Sequence, residues 1–473
     1  MINKTKIIAT IGPSTSSKEM LGKIIQRGVN VCRINFSHVS HSEAKEIIDN
    51  IKEVNKQIHA HTAILADLQG PKIRVGNFEK PIKIKKGSYI YFNTTKKQPN
   101  DIFISYKNFA KDVKKGDRVL LDDGKLSLLV ESSNGKNRVK LKVIFGGLLK
   151  SNKGVNLPNT DISLPCLTKK DNEDLSFLLE QKIEWIGLSF VRSAEDVKKL
   201  KNIIKRHKKS QALIITKIEK PEAINDIDNI ILETDAIMVA RGDLGVEVPL
   251  HKVPVFQKMI VQKCIKQSKP VVIATQMLES MTDNISATRA EVNDVANSVI
   301  DGADAMMLSG ETSVGIHPLR VIDTMRKVIK DVEKSRHNIS KNDPEREIVL
   351  NERYISNAIC ANACQIADNV NAQAIITATY SGYNTIKTSS YRPKAYIYAF
   401  TNHHTILNTL SLVWGVKAFY YEGGKTSDDT VLETKSILKK HKYVKRGDKV
   451  INIASMPAEE RGMTNMMKLS KVK

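Results

Sequence analysis

Eight short apolar runs recur along this chain, and between them lie segments whose apolar residues repeat at helical spacing. The runs are "TKIIAT", "VCRIN", "AILADL", "EWIGLSF", "ALIITKIE", "DAIMVA", "PVVIAT" and "DAMMLS". The helical segments include "SKEMLGKIIQRG", "SAEDVKKLKNIIKRH", "HKVPVFQKMIVQKCIKQS" and "SATRAEVNDVANSVIDG". A strand buried on both faces needs an uninterrupted apolar run, and joining it to a parallel neighbour needs a long crossover, which a helix supplies. Repeated eight times, this alternation predicts an α/β fold, a closed (β/α)8 barrel of the TIM type.

One segment breaks the rhythm. From about Pro71 to Pro165 the pattern changes to short alternating strands, "IKIKKGSYIYF", "GDRVLLDDGKLSLLVES" and "NRVKLKVIFGG", punctuated by Gly and Asp-Gly turns. It predicts a small β-barrel domain inserted after the third barrel strand. After the charged stretch "KSRHNISKNDPERE" come a helix, "YISNAICANACQIADNV", and the strands "AQAIITAT", "KAYIYAFT", "VKAFYYE" and "DKVINIA". The expected organisation is a barrel over 1–70 and 166–340, an inserted β domain over 71–165, and a C-terminal α/β domain over 345–473.

Composition narrows the function classes. With 41% hydrophobic and 26% charged residues the chain is globular. No apolar run approaches the roughly 18 residues of a membrane span. The start, "MINKTKIIATIGP", enters a strand pattern at once, which predicts a cytoplasmic protein without a leader or membrane partner. Five scattered cysteines argue against a disulfide framework. Cys360 and Cys364, one helical turn apart, read as core thiols, and His59-x-His61 is a weak metal signal. The net charge of +23 is spread over clusters such as "KKLKNIIKRHKK" and "ILKKHKYVKR". With aromatics at only 5%, base stacking has little to build on, so the charge reads as solvated surface with no specific nucleic-acid partner.

The stretch "IMVARGDLGVEVP" is ambiguous by itself: Arg241-Gly242-Asp243 reads as an adhesion tripeptide, as an ordinary turn, or as an acid at the mouth of a site. Its neighbours favour the last. Arg33, Asn35 and Ser37 follow the second run, Asp67 ends the third, and Lys217 and Glu219 end the fifth. Arg241 and Asp243 end the sixth, Thr275 the seventh, and Ser309 and Glu311 the eighth. The C-terminal ends of barrel strands share one face, so these residues are expected to converge. Glu219 and Asp243 are hard oxygen donors suited to Mg²⁺, with Mn²⁺ as the alternative. Arg33 and Lys217 supply positive charge for a phosphoryl group. No G-x-x-x-x-G-K-[ST] and no G-x-G-x-x-G occurs, so a nucleotide has to bind without a P-loop, between barrel and inserted domain.

The motifs "TKIIATIGPSTSS", "VCRINFSH", "GPKIRVG", "NKGVNLP", "ITKIEKPEAI", "MVARGDLGVE", "VIATQMLESM", "ATRAEVNDVAN" and "MMLSGETSVGIHP" occur in one order and together resemble pyruvate kinase. The resemblance runs almost end to end and is weakest in the C-terminal domain. It implies transfer of the phosphoryl group of phosphoenolpyruvate to ADP, giving pyruvate and ATP in the final step of glycolysis. It further implies that Arg33 holds the substrate phosphate and that Lys217 neutralises charge on the transferring group. Glu219 and Asp243 would bind Mg²⁺; Gly242, Asp243 and Thr275 would hold the carboxylate end; Arg74 and Lys153 would reach ADP. Thr275 and Ser309 form the expected proton relay through water, although Ser309 and Glu311 read equally well as a helix cap. A homotetramer is implied too.

Departures from the family pattern carry their own expectations. Relatives usually need K⁺, held by groups matching Asn35, Ser37, Asp67 and the carbonyl of Leu68. They usually carry threonine at Leu68 and glutamate at Lys72, where this chain reads "ADLQGPKIR". A lysine ammonium has the charge and about the size of K⁺, so Lys72, paired with Asp67, is expected to make K⁺ unnecessary. "TATYSGYNTIKTSSYRP" keeps only part of the family's phosphate loop, so no fructose-bisphosphate site is expected, and "MPAEERGMTNMMKLS" reads as a short loop before the last strand. Neither an added phosphotransfer domain nor a long N-terminal extension is expected. Competing functions are an RNA-binding scaffold on a decayed barrel and a lyase of the phosphoenolpyruvate barrels. Retention of both acids argues against the first, and the inserted β domain with "NKGVNLP" argues against the second.

Overall fold

A computed structural model describes residues 3–95, 100–158, 160–207, 210–339, 352–424, 426–456 and 463–473. The eight apolar runs become β1 (Lys6–Thr10), β2 (Val31–Asn35), β3 (Ala63–Asp67), β4 (Trp185–Leu188), β5 (Leu213–Ile218), β6 (Ala236–Ala240), β7 (Val271–Ala274) and β8 (Ala305–Leu308). They close into one barrel in which every neighbouring pair runs parallel and β1 hydrogen-bonds to both β2 and β8. Side chains pointing inward, among them Ile8, Val31, Leu65, Trp185, Met238 and Met307, fill the barrel itself. Those pointing outward meet the helices in a second, larger layer. Each fully buried Ile or Leu contributes about 1.5–3 kcal/mol, which is why both faces of these strands are apolar.

Helix starts are written locally. Ser40 with Glu43, Thr168 with Asp171, and Thr288 with Glu291 each form a reciprocal capping box, so the chain leaves the mouth and turns back along the barrel at defined points. Gly302 ends the helix Arg289–Asp301 with φ +96°, a left-handed stop just before β8.

Between β3 and β4 the inserted segment pairs as a six-stranded sheet and a two-stranded ribbon, Gly147–Leu149 with Ile82–Ile84. Both wrap one core that includes Phe92, Phe109, Leu141 and Leu149. The segment around Arg74 and Val75 bridges both edges of the six-stranded sheet, Arg74 to Gly154 and Val75 to Ile104, so the ladder closes as expected of a small β barrel.

The C-terminal sheet contains β9 (Ala374–Ala378), β10 (Tyr396–Thr401), β11 (Val416–Tyr420), β12 (Lys449–Ala454) and β13 (Met466–Lys471), in the order β11-β10-β9-β12-β13. β13 corrects the extent of the loop expected over "MPAEERGMTNMMKLS": the last strand already begins within it, at Met466, and completes the sheet antiparallel to β12. Residues 457–462 of that stretch, and 340–351 with the end of the charged linker, lie outside the described residues. This unit rests on the closed, N-terminal end of the barrel. Lys6 Nζ donates to Val416 O at 2.6 Å, and the buried pair Arg392–Asp304 closes at 2.8 Å. All five cysteines are free and buried, as expected of core thiols.

Candidate active site at the barrel mouth

Asp67, the last residue of β3, organises the centre. Its Oδ2 accepts from Arg33 Nε at 2.8 Å and Nη2 at 2.6 Å, while Arg33 Nη1 donates to Thr10 Oγ1 at 3.0 Å. Arg33 on β2 can reach because Asn35, two residues on, stands opposite Asp67 in the parallel register. Lys217, from β5, lies 3.3 Å from Asp67 Oδ1 and 2.8 Å from Glu219 Oε1, and donates to Ser189 Oγ at 2.8 Å. Burial opposes charge on all three acidic and basic groups. For Lys217 the pull of Asp67 and Glu219 outweighs it and holds the ammonium charged. For Asp67 the Lys217 and Arg33 charges likewise win and keep its pKa below the ordinary value. For Glu219, burial with the nearby Asp243 charge prevails over Lys217, and the carboxyl rises.

Glu219 Oε2 accepts the Phe190 amide at 2.7 Å. Its Oε1, despite the short approach of Lys217, is off hydrogen-bond geometry and is left buried without a hydrogen bond. The partly buried Asp243 carboxylate makes no hydrogen bond or ion pair among the described residues. One orphaned oxygen and one uncommitted carboxylate, on adjacent strand ends, are what a divalent cation can use. No cluster of three or more His, Cys, Asp or Glu forms a closed cage among the described residues, so water and substrate oxygens must complete any such shell. The donor set fits Mg²⁺.

Arg241-Gly242-Asp243 is neither an adhesion loop nor a simple turn. It opens the helix Arg241–Glu247, and the Arg241 side chain is spent inside, on Asp294 at 2.8 Å and on the Thr275 carbonyl at 2.7 Å. Gly242 N donates to Thr275 Oγ1 at 2.7 Å. A Cβ on Gly242 would stand 3.3 Å from that oxygen, so only glycine brings the backbone in without displacing it. Glu311 accepts the amides of Ser309 at 2.6 Å and Leu278 at 3.2 Å, a buried clamp between the loops after β7 and β8. Burial raises its carboxyl above the ordinary range. Ser309 stands at the start of the short helix Gly310–Ser313, with no side-chain cap bond.

A cleft separates the mouth from the inserted sheets. Its walls carry Lys72, Arg74, Lys153, Arg192, Lys220 and Asp243. Lys153 pairs with Asp122 at 2.7 Å, and Arg74 Nη1 donates to Asn152 O at 2.9 Å. Lys72 keeps solvent contact on the cleft wall. Crowding by that wall and the Lys217 charge draw its pKa down, against Asp243, Glu219 and Asp67. The expected Lys72–Asp67 pair is not formed, because Arg33 and Lys217 already occupy that carboxylate. Asn35 Oδ1 accepts the Ser37 amide at 3.1 Å, and the Leu68 carbonyl accepts Ser189 Oγ at 2.7 Å.

Thr10, Ser189 and Phe190 were not legible as site residues in the motif argument. Yet Thr10 ends β1 and Ser189 follows β4, so the strand-end rule that located the other residues applies to both.

The family model for the pyruvate kinase barrel domain matches residues 2–322, and that for the pyruvate kinase alpha/beta domain matches 357–470. The chain is 40% identical to the pyruvate kinase of Staphylococcus aureus strain MRSA252 over 472 residues, 99% of this chain and 80% of that protein. The pyruvate kinase of Staphylococcus saprophyticus gives the same identity and coverage. A crystal structure of a pyruvate kinase from Cryptosporidium parvum superposes with a TM-score of 0.91 at 34% identity, covering all of this chain and 96% of the other. Among the described residues no helix is long and apolar enough to cross a membrane. With fold, mouth chemistry and full-length similarity in agreement, the chain belongs to the pyruvate kinase family and transfers the phosphoryl group of phosphoenolpyruvate to ADP, forming pyruvate and ATP.

Proposed function

We propose that this reaction runs at the barrel mouth, with Lys217 as the residue on which it turns. The observation that supports this most directly is the Lys217 ammonium, buried and held charged between Asp67 and Glu219. A fixed positive charge in a water-poor site stabilises charge that develops on a transferring phosphoryl group and on the departing enolate oxygen. Arg33 faces the same space and grips the phosphate, with Asp67 fixing its guanidinium. Glu219 and Asp243 hold Mg²⁺, or Mn²⁺ in its place; when bound, the cation supplies Lewis-acid charge toward phosphoryl and enolate oxygens. Gly242, Asp243 and Thr275 orient the carboxylate end of the substrate.

Arg74 and Lys153 receive the phosphates of ADP across the cleft, and the inserted segment 71–165 closes over them to exclude water. Thr275 and Ser309 pass a proton through water to the enolate carbon, since neither hydroxyl is acidic enough alone. Lys72 supplies the positive charge that K⁺ gives in relatives, so monovalent cations are dispensable. The active form is a cytoplasmic homotetramer, and light scattering at assay concentration tests its size. The reaction itself is tested by ATP formation from phosphoenolpyruvate and ADP with purified protein. The rate should vanish when ADP or the divalent cation is left out.

A further inference from the structure

The turn after β4 touches the charged centre and both chain crossings into the inserted sheets. Toward the centre, Ser189 Oγ accepts from Lys217 Nζ at 2.8 Å and Phe190 N donates to Glu219 Oε2 at 2.7 Å. Toward the outgoing crossing, Ser189 Oγ donates to the Leu68 carbonyl at 2.7 Å, with a longer 3.4 Å approach to Asp67 Oδ1. Gly70, with φ +68°, lies against the Phe190 ring. A Cβ there would stand 2.7 Å from Phe190 Cδ2 and 3.0 Å from Ser189 Cβ. Toward the returning crossing, Cys166 Sγ donates to Ser189 O at 3.2 Å, and Arg192 donates to the carbonyls of Ile162 and, at 2.8 Å, Leu164.

Phe190 itself has φ +55°, a left-handed backbone that bulky residues rarely adopt. Strain of this kind persists only where the surroundings over-determine it. Here the result is an amide aimed at Glu219. Ser189 has one proton, spent on Leu68, so its remaining lone pairs face Lys217. Movement of the Leu68–Gly70 crossing therefore turns the acceptor that Lys217 sees and shifts the ring that seats the Phe190 amide.

We propose that Ser189 and Phe190 are positioning residues that couple the hinge of the inserted sheets to the alignment of Lys217 and Glu219. The proposal rests on the roles given above to those two residues. Pinning one oxygen of Glu219 leaves the other presented to the mouth, and fixing Lys217 by three neighbours leaves it little freedom to swing away. Outer contacts of this type set the geometry of the groups that touch substrate and metal.

Two variants test it. Ser189→Ala removes the acceptor without adding bulk; kcat should fall about tenfold, with both KM values within about twofold and an unchanged thermal midpoint. Gly70→Ala pushes on the Phe190 ring, and Mn²⁺ affinity, read by electron paramagnetic resonance without substrate, should weaken about tenfold. The double variant Gly70→Ala/Phe190→Gly removes the collision and should recover part of that affinity, a coupling that simple loss of packing would not give. Wild-type kcat in Ser189→Ala, wild-type Mn²⁺ affinity in Gly70→Ala, or no recovery in the double variant would each overturn the proposal. A wild-type protein that forms no ATP strikes the assigned reaction instead, and the Mn²⁺ measurements still decide the role of the turn.

Discussion

The Thr275 hydroxyl accepts the Gly242 amide at 2.7 Å from a residue whose φ is +69°, so a β-branched side chain is held left-handed to reach the start of another helix. Arg241 completes the link by donating to the Thr275 carbonyl at 2.7 Å. The ends of β6 and β7 are thereby locked together where the substrate carboxylate is proposed to lie. Thr275→Val keeps the shape and deletes the acceptor. Its kcat should drop by about 100-fold or more, as when a single preorganised polar group is lost from a reacting centre. Steady-state rates with saturating phosphoenolpyruvate check this, and turnover within about twofold of wild type contradicts it.

Lys217→Met should leave a folded protein with turnover reduced by about a thousandfold or more, because its charge matters most in the transition state. Removing the cation leaves Asp67 with its ion pair to Arg33 and Glu219 with no ion pair among the described residues, so the carboxyl of Glu219 should rise further. Circular dichroism establishes the fold and a coupled assay the rate. A variant with wild-type turnover refutes the role.

The barrel was legible because strands buried on both faces must be largely apolar runs, and all eight are, with only Arg33 in β2 and Thr216 and Lys217 in β5 breaking a run from within. Most of the charged centre was legible by the strand-end rule, since Arg33, Asp67, Lys217 and Glu219 are polar residues at or near the end of an apolar run. Ser189 and Phe190 were harder. Neither carries charge, and the left-handed backbone of Phe190 depends on the room left by Gly70, which no local pattern records. The Lys72–Asp67 pairing failed for the opposite reason. The likeness of Lys72 to the K⁺ of relatives suggested it, but the parallel register brings Arg33 to the same carboxylate, and Lys217 reaches it from β5. The start of β13 was hidden because its exposed Leu469 and paired methionines blur the alternation that marks a strand.

Lys6 offers a test of how the barrel meets the C-terminal sheet. Burial, reinforced by Lys417 and opposed by Glu333 and Asp304, lowers its pKa from 10.5 to about 8, and its Nζ donates to Val416 O. At pH 7 both folded and unfolded chains carry the proton, and the folded chain bears the full burial penalty. Between about pH 8 and 10.5 only the unfolded chain holds it, so this residue's contribution to stability rises with pH. The total swing is on the order of 3 kcal/mol. The stability of wild type relative to Lys6→Met, measured by urea unfolding, should therefore increase across that window. A difference independent of pH contradicts the assignment.

The monovalent-cation prediction follows from what already fills the place where K⁺ would sit. The Asp67 carboxylate is taken by Arg33 and Lys217, the Leu68 carbonyl by Ser189, and Asn35 Oδ1 by the Ser37 amide. Lys72 adds an exposed ammonium on the same side of the cleft, near Lys217 as well as Asp243, Glu219 and Asp67, and it forms no ion pair with those acids. Setting K⁺ within about 4 Å of that ammonium costs roughly 4 kcal/mol at an effective dielectric of 20, more than partly saturated oxygens readily repay. The initial rate in tetramethylammonium buffer should change by less than about twofold when KCl replaces it at constant ionic strength. Lys72→Glu removes the ammonium and adds an oxygen ligand, so the same exchange should raise its rate by about tenfold, the equivalent of 1.4 kcal/mol. A rise of about tenfold on adding K⁺ to the wild type would mean that Lys72 points its charge away from the mouth and that a cation, not the lysine, completes the site.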